Sequence, residues 1–212
     1  MTEETLQCGL VLLAAGGSTR MGRPKQLLEI DGVPLVRRAA LAALSSSARP
    51  VVVVIGAHAE LVRPLLADLP VLIAENRDWA KGLGPSLGCG LRALTAAAPK
   101  IEATVVALAD QPHFCADLVA RLRQRQHDSG RGIVLARAGA NLGPPALFLR
   151  RHFAALGGLR GDVGARAVVQ ANAADATTLE ISDPADLDTP ADVARFLAGQ
   201  AAQRKQFSPG KL

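Results

Sequence analysis

Gly9-Leu-Val-Leu-Leu-Ala-Ala-Gly-Gly-Ser-Thr-Arg-Met-Gly-Arg-Pro-Lys25 joins an aliphatic run to a basic, glycine-rich segment. The run has no polar interruption, the pattern of a strand buried on both faces, as parallel strands are. In open α/β sheets ligands bind beyond the carboxyl ends of the strands, where the following loop must lie. Glycines 16, 17 and 22 let the backbone approach a ligand and turn its N–H groups toward an anion. Arg20 and Lys25 add two positive charges at the far end. Such a layout suits a polyphosphate that gains negative charge as it reacts. A glycine-rich surface turn is the bland alternative. Two familiar phosphate loops fail on spacing. Gly17 and Gly22 fit a Walker A loop, but Arg23 takes its lysine position and Pro24 follows, and G-x-G-x-x-G is absent.

Working outward, a second buried strand is expected at Val51–Ile55, with a helix at Pro34–Leu44 between the two. Strand, loop, helix and strand make a βαβ unit, whose crossover is expected to be right-handed. The pattern continues with a helix at Ala59–Leu69, a strand at Val71–Ala74 and a helix at Leu87–Ala97. A strand at Ala103–Leu108, a helix at Cys115–His127 and a strand at Gly132–Ala136 follow. This alternation predicts a three-layer, Rossmann-like α/β fold with a mainly parallel sheet. Beyond residue 136 the glycine- and proline-rich stretches Gly139–Pro145 and Gly157–Gly164 read as loops on the substrate side. One domain over residues 1–198 is expected, in two parts at about 9–112 and about 113–198. Residues 199–212 are polar and basic and read as a flexible tail.

The composition agrees with one compact domain. The chain has 212 residues, 49% of them hydrophobic and 20% charged, which excludes a wholly disordered chain. Aromatics are only 3%, which argues against stacking platforms for single-stranded nucleic acid. The net charge of +5 comes from scattered residues and suits a phosphorylated small molecule as well as it suits RNA. The alternating basic run Arg121–Arg125 reads as a solvated helix face. Three widely spaced cysteines, an acidic N-terminus and short apolar runs point to a reducing cytosol and away from a membrane.

The loop motif L-A-A-G-x-S-x-R-M-G-x-x-K resembles the signature of the nucleotidyltransferases related to the molybdenum cofactor cytidylyl- and guanylyltransferases. Asn76–Leu87, Leu108-Ala-Asp-Gln-Pro112, Gly161-Asp-Val-Gly-Ala-Arg166 and Asp186-Leu-Asp-Thr-Pro-Ala-Asp192 extend the resemblance over residues 9–197. It implies transfer of a CMP, less readily a GMP, unit from a nucleoside triphosphate to a phosphorylated acceptor, molybdopterin first, with release of pyrophosphate. The double alanine at 14–15 leans toward CTP, because the guanylyl enzymes more often carry Ala-Gly-Gly there. A molybdoenzyme or its maturation chaperone is the implied protein partner, with no nucleic acid and no membrane.

The resemblance also distributes roles. Leu13, Ala14, Ala15, Gly16, Gly17 and Ser18 would bind the nucleotide, joined by Gly82 and Ser86, while Arg20 and Lys25 would hold the triphosphate. Asp110, at the end of an apolar strand, reads either as a turn cap or as a ligand for Mg²⁺, with Mn²⁺ as the variant; the family makes it the principal ligand. Asp188 is either an N-cap, shared as an option with Thr189, or a second metal ligand. Pro145, Asp162 and Arg166 are the acceptor-side candidates, and Arg160, Asp162 and Arg166 could equally form a structural ion pair.

Three alternatives stand beside the transferase. Gly84-Pro-Ser-Leu-Gly88 matches the G-x-S-x-G of a serine hydrolase, but Asn76–Lys81 stands where its strand should lead in. Some relatives serve redox steps on heterocycles with a nicotinamide cofactor, and Gly84-Pro85 and Pro144-Pro145 depart from the transferase pattern enough to admit that. The third is a nucleotide-binding regulatory protein without turnover; within the transferase reading, sugar or polyol phosphates are the alternative acceptors.

Overall fold

The computed structural model describes residues 6–18, 21–181, 189, 191–196 and 198. In chain order the elements begin with β1 (Cys8–Ala14), a small hairpin of β2 (Glu29–Ile30) and β3 (Val33–Pro34), and α1 (Leu35–Ser45). Next come β4 (Val51–Ile55), α2 (Ala59–Val62), β5 (Leu72–Glu75), α3 (Leu83–Ala97) and β6 (Ala103–Leu108). The remainder is α4 (Ala116–Ser129), β7 (Ile133–Ala138), β8 (Asn141–Leu149), α5 (Phe153–Gly157), α6 (Arg166–Ala171) and β9 (Ala176–Glu180). Seven strands form one sheet in the order β5-β4-β1-β6-β8-β7-β9. Neighbours run parallel except β8, which is antiparallel to both β6 and β7. The chain therefore has the expected Rossmann-like α/β fold with a mainly parallel sheet.

The side-chain alternation of the central strands divides the core in two. Leu10, Leu12, Val53 and Ile55 face a cluster with Val36 and Ala40 of α1 and Val119 and Leu122 of α4. Val11, Leu13, Val52 and Val54 face Leu87, Leu91 and Leu94 of α3 and Leu156 of α5. Both faces of β1 and β4 are covered, and each fully buried leucine contributes about 1.5–3 kcal/mol. Helix α3 lies unusually close to the sheet. A Cβ on Gly90 would come within 2.4 Å of a Val11 methyl and 2.8 Å of a Val54 methyl, so only glycine permits this approach.

Several boundaries differ from the sequence reading, each for a local reason. The helix expected over 59–69 is α for only Ala59–Val62 and then tightens into a 3₁₀ turn over Arg63–Leu66, because Pro64 lacks the N–H and crowds the preceding turn. Helix α3 begins four residues early, at Leu83, with Pro85 in its first turn where the missing donor costs nothing. The largest correction is at 139–145, expected as a loop. Residues 141–149 form β8, and β9 was not anticipated at all. The β7 register shifts between Leu135, opposite Ala146, and Ala136, opposite Gly143, so Pro144 and Pro145 drop out of a ladder to which they cannot donate.

A partly exposed polar knot holds this half of the sheet. Asp175, just before β9, accepts two hydrogen bonds from Arg151 at 2.8 Å, one from the Gly132 N–H at 2.8 Å, and pairs with His152 at 2.9 Å. Arg151 above all, then the Gly132 N–H and His152, hold the Asp175 carboxyl well below the usual carboxylate range against the opposing effect of burial. A lowered folded-state pKa stabilises above the unfolded-state value of about 4 and is lost as pH falls through the folded value. Asp175→Asn should therefore cost about 1–3 kcal/mol in urea unfolding at pH 7. The gap to wild type should be the same at pH 5 and narrow only below about pH 4; a gap that already closes between pH 7 and pH 5 would remove Asp175 as its source.

Candidate nucleotide-binding site

After β1 the chain builds β4 and β5 outward on one side, then returns to place β6 on the other. The carboxyl ends of β1 and β6 thus flank the crevice where strand order reverses, the usual ligand position in such sheets. A cavity of about 590 Å³ opens there. Its walls are Leu13–Ser18 and Lys25–Gln26 from the loop after β1, Leu108–Asp110 from the end of β6, Trp79, Gly82, Leu83 and Ser86 around the start of α3, and Asp162.

The loop is held from within by Gln26, a residue the sequence reading did not single out. Its side chain is buried and its amide donates to the carbonyls of Ala14 at 3.0 Å and Gly16 at 2.7 Å. Because a trans peptide carries its C=O and N–H on opposite sides, this turns the N–H groups of Ala15 and Gly17 away from Gln26. Ser18 sits in the left-handed region with φ 54°, and its hydroxyl accepts from the Lys25 N–H at 3.0 Å. The signal available in sequence was only a glutamine directly following Lys25.

At the floor, Lys25 Nζ lies 3.1 Å from Asp110 Oδ2. The Lys25 side chain is 12% exposed and that of Asp110 26%, so the pair is partly desolvated and stronger than a surface pair. The second carboxylate oxygen, Asp110 Oδ1, is buried with no hydrogen-bond partner. An orphaned, buried anionic oxygen is costly unless a cation or donor completes it. A carboxylate at this place fits a hard divalent cation, which takes oxygen ligands.

The predicted residues do not all converge. Leu13, Ala14, Ala15, Gly16, Gly17, Ser18, Lys25, Gly82, Ser86, Asp110 and Asp162 all line the cavity; Pro145 and Arg166 do not. Arg160 folds back onto the carbonyls of Gly158 and Leu159 rather than onto Asp162. Gln111 instead ties the Pro144 carbonyl to the end of β6 at 2.9 Å. Ser86 is buried inside α3 and accepts from Asn76 Nδ2 at 2.9 Å, and a 3₁₀ turn, not a strand, leads into α3. That geometry rejects the serine hydrolase. Arg20, Asp186, Asp188 and the 199–212 tail lie outside the described residues. Thr189, however, makes the cap: its hydroxyl accepts from the Asp192 N–H at 3.2 Å, and the Asp192 carboxylate accepts from the Thr189 N–H at 2.8 Å. Among the described residues no helix is long and apolar enough to cross a membrane.

A glycine loop beside a lysine–aspartate pair thus stands at the reversal point of a mainly parallel sheet. Residues 10–177 match the MobA-like NTP transferase domain, and the chain belongs to that family. It is 35% identical over 200 residues to the nicotine blue oxidoreductase of Paenarthrobacter nicotinovorans, covering 88% of this chain and 95% of that protein. It is 38% identical over 112 residues to the molybdenum cofactor guanylyltransferase of Rhodobacter capsulatus, covering 53% of this chain and 55% of that one. The crystal structure of Rv0371c from Mycobacterium tuberculosis H37Rv in complex with manganese superposes with a TM-score of 0.72 at 27% identity, over 91% of this chain and 98% of that one.

Gln26→Ala should leave two loop carbonyls without their donor and cost about 1–3 kcal/mol of stability. Calorimetry should also show weaker binding of a nucleoside triphosphate, because the loop loses its fixed shape; unchanged affinity in a destabilised variant would confine Gln26 to a folding role.

Proposed function

We propose that the chain transfers a nucleotidyl group, CMP in preference to GMP, from a nucleoside triphosphate to a phosphorylated acceptor, with molybdopterin the leading candidate. The observation that carries this reading is the Lys25–Asp110 pair with its orphaned carboxylate oxygen beneath the glycine loop. Support for the acceptor comes from the guanylyltransferase relative and the Gly161–Arg166 motif. Ala14-Ala15 supports CTP.

In the proposed reaction an acceptor phosphate oxygen attacks the α-phosphorus of the triphosphate. A new P–O bond forms as the bond to the β-phosphate breaks, and pyrophosphate leaves with the electron pair. Positioning and charge neutralisation supply most of the rate, so no protein nucleophile is required. Lys25 and Arg20 hold the triphosphate, with the loop N–H groups against its oxygens. Asp110 and Asp188 are the residues that would hold Mg²⁺ or Mn²⁺, which when bound neutralises charge across the phosphate oxygens. The acceptor enters from the side of Asp162, which lines the cavity, whereas Pro145 and Arg166 do not.

A second reading is favoured by one observation: the relative matched over 95% of its own length is named an oxidoreductase. In that reading the same cavity holds a nicotinamide nucleotide and the chemistry is hydride transfer to a heterocycle. Pyrophosphate release that depends on both CTP and molybdopterin supports transfer. Oxidation of a reduced nicotinamide by a heterocyclic acceptor, without pyrophosphate, replaces it.

Within the transferase reading, Asp110→Asn should lower kcat by about 10²-fold or more, since charge-stabilising groups are worth that much at such sites. Lys25→Ala should raise KM for the triphosphate by about tenfold and leave KM for the acceptor nearly unchanged, as the loss of one charged hydrogen bond implies. Equal losses for both substrates would contradict the lysine's role. Ala15→Gly should move the CTP/GTP ratio of kcat/KM toward GTP, and an unchanged ratio would place base choice elsewhere.

A further inference from the structure

The chain has a single tryptophan, and it stands at the mouth of the cavity. Trp79 opens the 3₁₀ turn Trp79–Lys81 between β5 and α3. Two glycines make a bed for it. A Cβ on Gly56 would come within 2.8 Å of the Trp79 Cβ, and a Cβ on Gly17 would come within 3.0 Å of indole Cζ3. Backbone from the loops after β1 and β4 thus supports the residue from behind. Yet Trp79 remains 37% exposed, as does Leu83, which also lines the cavity. A chain with only 3% aromatics places its largest one where it is incompletely buried and fixed by glycine backbone. Lys25 and Asp110 line the same cavity.

We propose that Trp79, backed by Gly17 and Gly56 and flanked by Leu83, is a stacking subsite for a planar heteroaromatic ring whose phosphates reach Lys25. It rests on the reading of the cavity as a nucleotide site. A ring of this kind is carried by the base of a nucleotide donor and by the pterin of the proposed acceptor, and both offer a flat face to an indole. Face stacking on an aromatic residue contributes beyond burial of area, because the ring quadrupoles favour offset contact. The opposing account is that Trp79 only fills the gap between two loops. An aliphatic side chain of similar bulk would then serve equally well.

Because Trp79 is the sole tryptophan, intrinsic emission reports on this position alone. Wild-type protein is titrated with CTP, with phosphate-free 6-hydroxymethylpterin and with inorganic tripolyphosphate, each corrected against free N-acetyltryptophanamide. Binding is measured in parallel by calorimetry. Saturable quenching by CTP, by the pterin or by both is expected, and it assigns the subsite to donor, acceptor or ring chemistry in general. Tripolyphosphate should bind without comparable quenching. Trp79→Leu, checked for folding by circular dichroism, should weaken the quenching ligand by about 5- to 150-fold, and Trp79→Phe by far less. The proposal is overturned if CTP and the pterin bind without changing emission, if neither binds the folded protein, or if Trp79→Leu binds as tightly as wild type. Pyrophosphate release separates this from the transferase reading. Turnover without quenching removes the stacking subsite alone, whereas quenching without turnover keeps it and removes the transfer.

Discussion

The close pairing of Lys25 with Asp110 is the constraint around which the site is arranged. The two residues are far apart in sequence and meet only because β1 and β6 are neighbours, bonded in register from Cys8 opposite Ala103 to Leu13 opposite Leu108. Each charge alone in that partly closed place would be expensive, since a lone buried ion loses its hydration without recompense. Together they are tolerable, and only one carboxylate oxygen is used. The pair therefore does two things. It fixes the end of the glycine loop to the end of β6, and it leaves a buried anionic oxygen of Asp110 without a hydrogen-bond partner beside the cavity.

Holding that arrangement demands a rigid frame, which the aliphatic sheet supplies. β1 and β4 are buried on both faces, and α3 sits close because Gly90 yields to Val11 and Val54. Without that close approach the start of α3, with Gly82 and Ser86, would stand off from the loop it now faces. Gln26 plays the complementary part inside the loop, replacing strand hydrogen bonds beyond Ala14 with its own amide. Rigid strands thus carry a loop whose shape is set by a side chain, a common division of labour between scaffold and binding segment.

The sheet's first half was legible in sequence because its strands are apolar on both faces and its helices are periodic; Val51–Ile55 and Ala103–Leu108 coincide with β4 and β6. The second half was not. β8 contains Gly143, Pro144 and Pro145, residues that signal a loop, and the register shift that rescues them is a pairing event no single strand reveals. β9 is a half-buried edge strand with a Thr-Thr center and offers little apolar alternation. In the site, the charged and glycine positions were visible by residue type. Gln26 and Trp79 were not, because their importance lies in what they touch: two loop carbonyls in one case, two glycines in the other.

The departures at Gly84 and Pro85 acquire a steric meaning from the same neighbourhood. Gly84 donates its N–H to the Gly161 carbonyl at 3.0 Å, and a Cβ at 84 would stand 2.8–2.9 Å from the backbone of Leu159 and Arg160. At Gly82, with φ 106°, a Cβ would strike the Gly161–Asp162 peptide at 2.3–2.6 Å. Any side chain at 84 would push the 159–162 segment off the helix start. Glycine there lets the segment close down and carries Asp162 to the cavity wall. The change at 84 and the acidic residue at 162 are thus one structural adjustment. It places a carboxylate on the wall of the cavity that Lys25 and Asp110 also line.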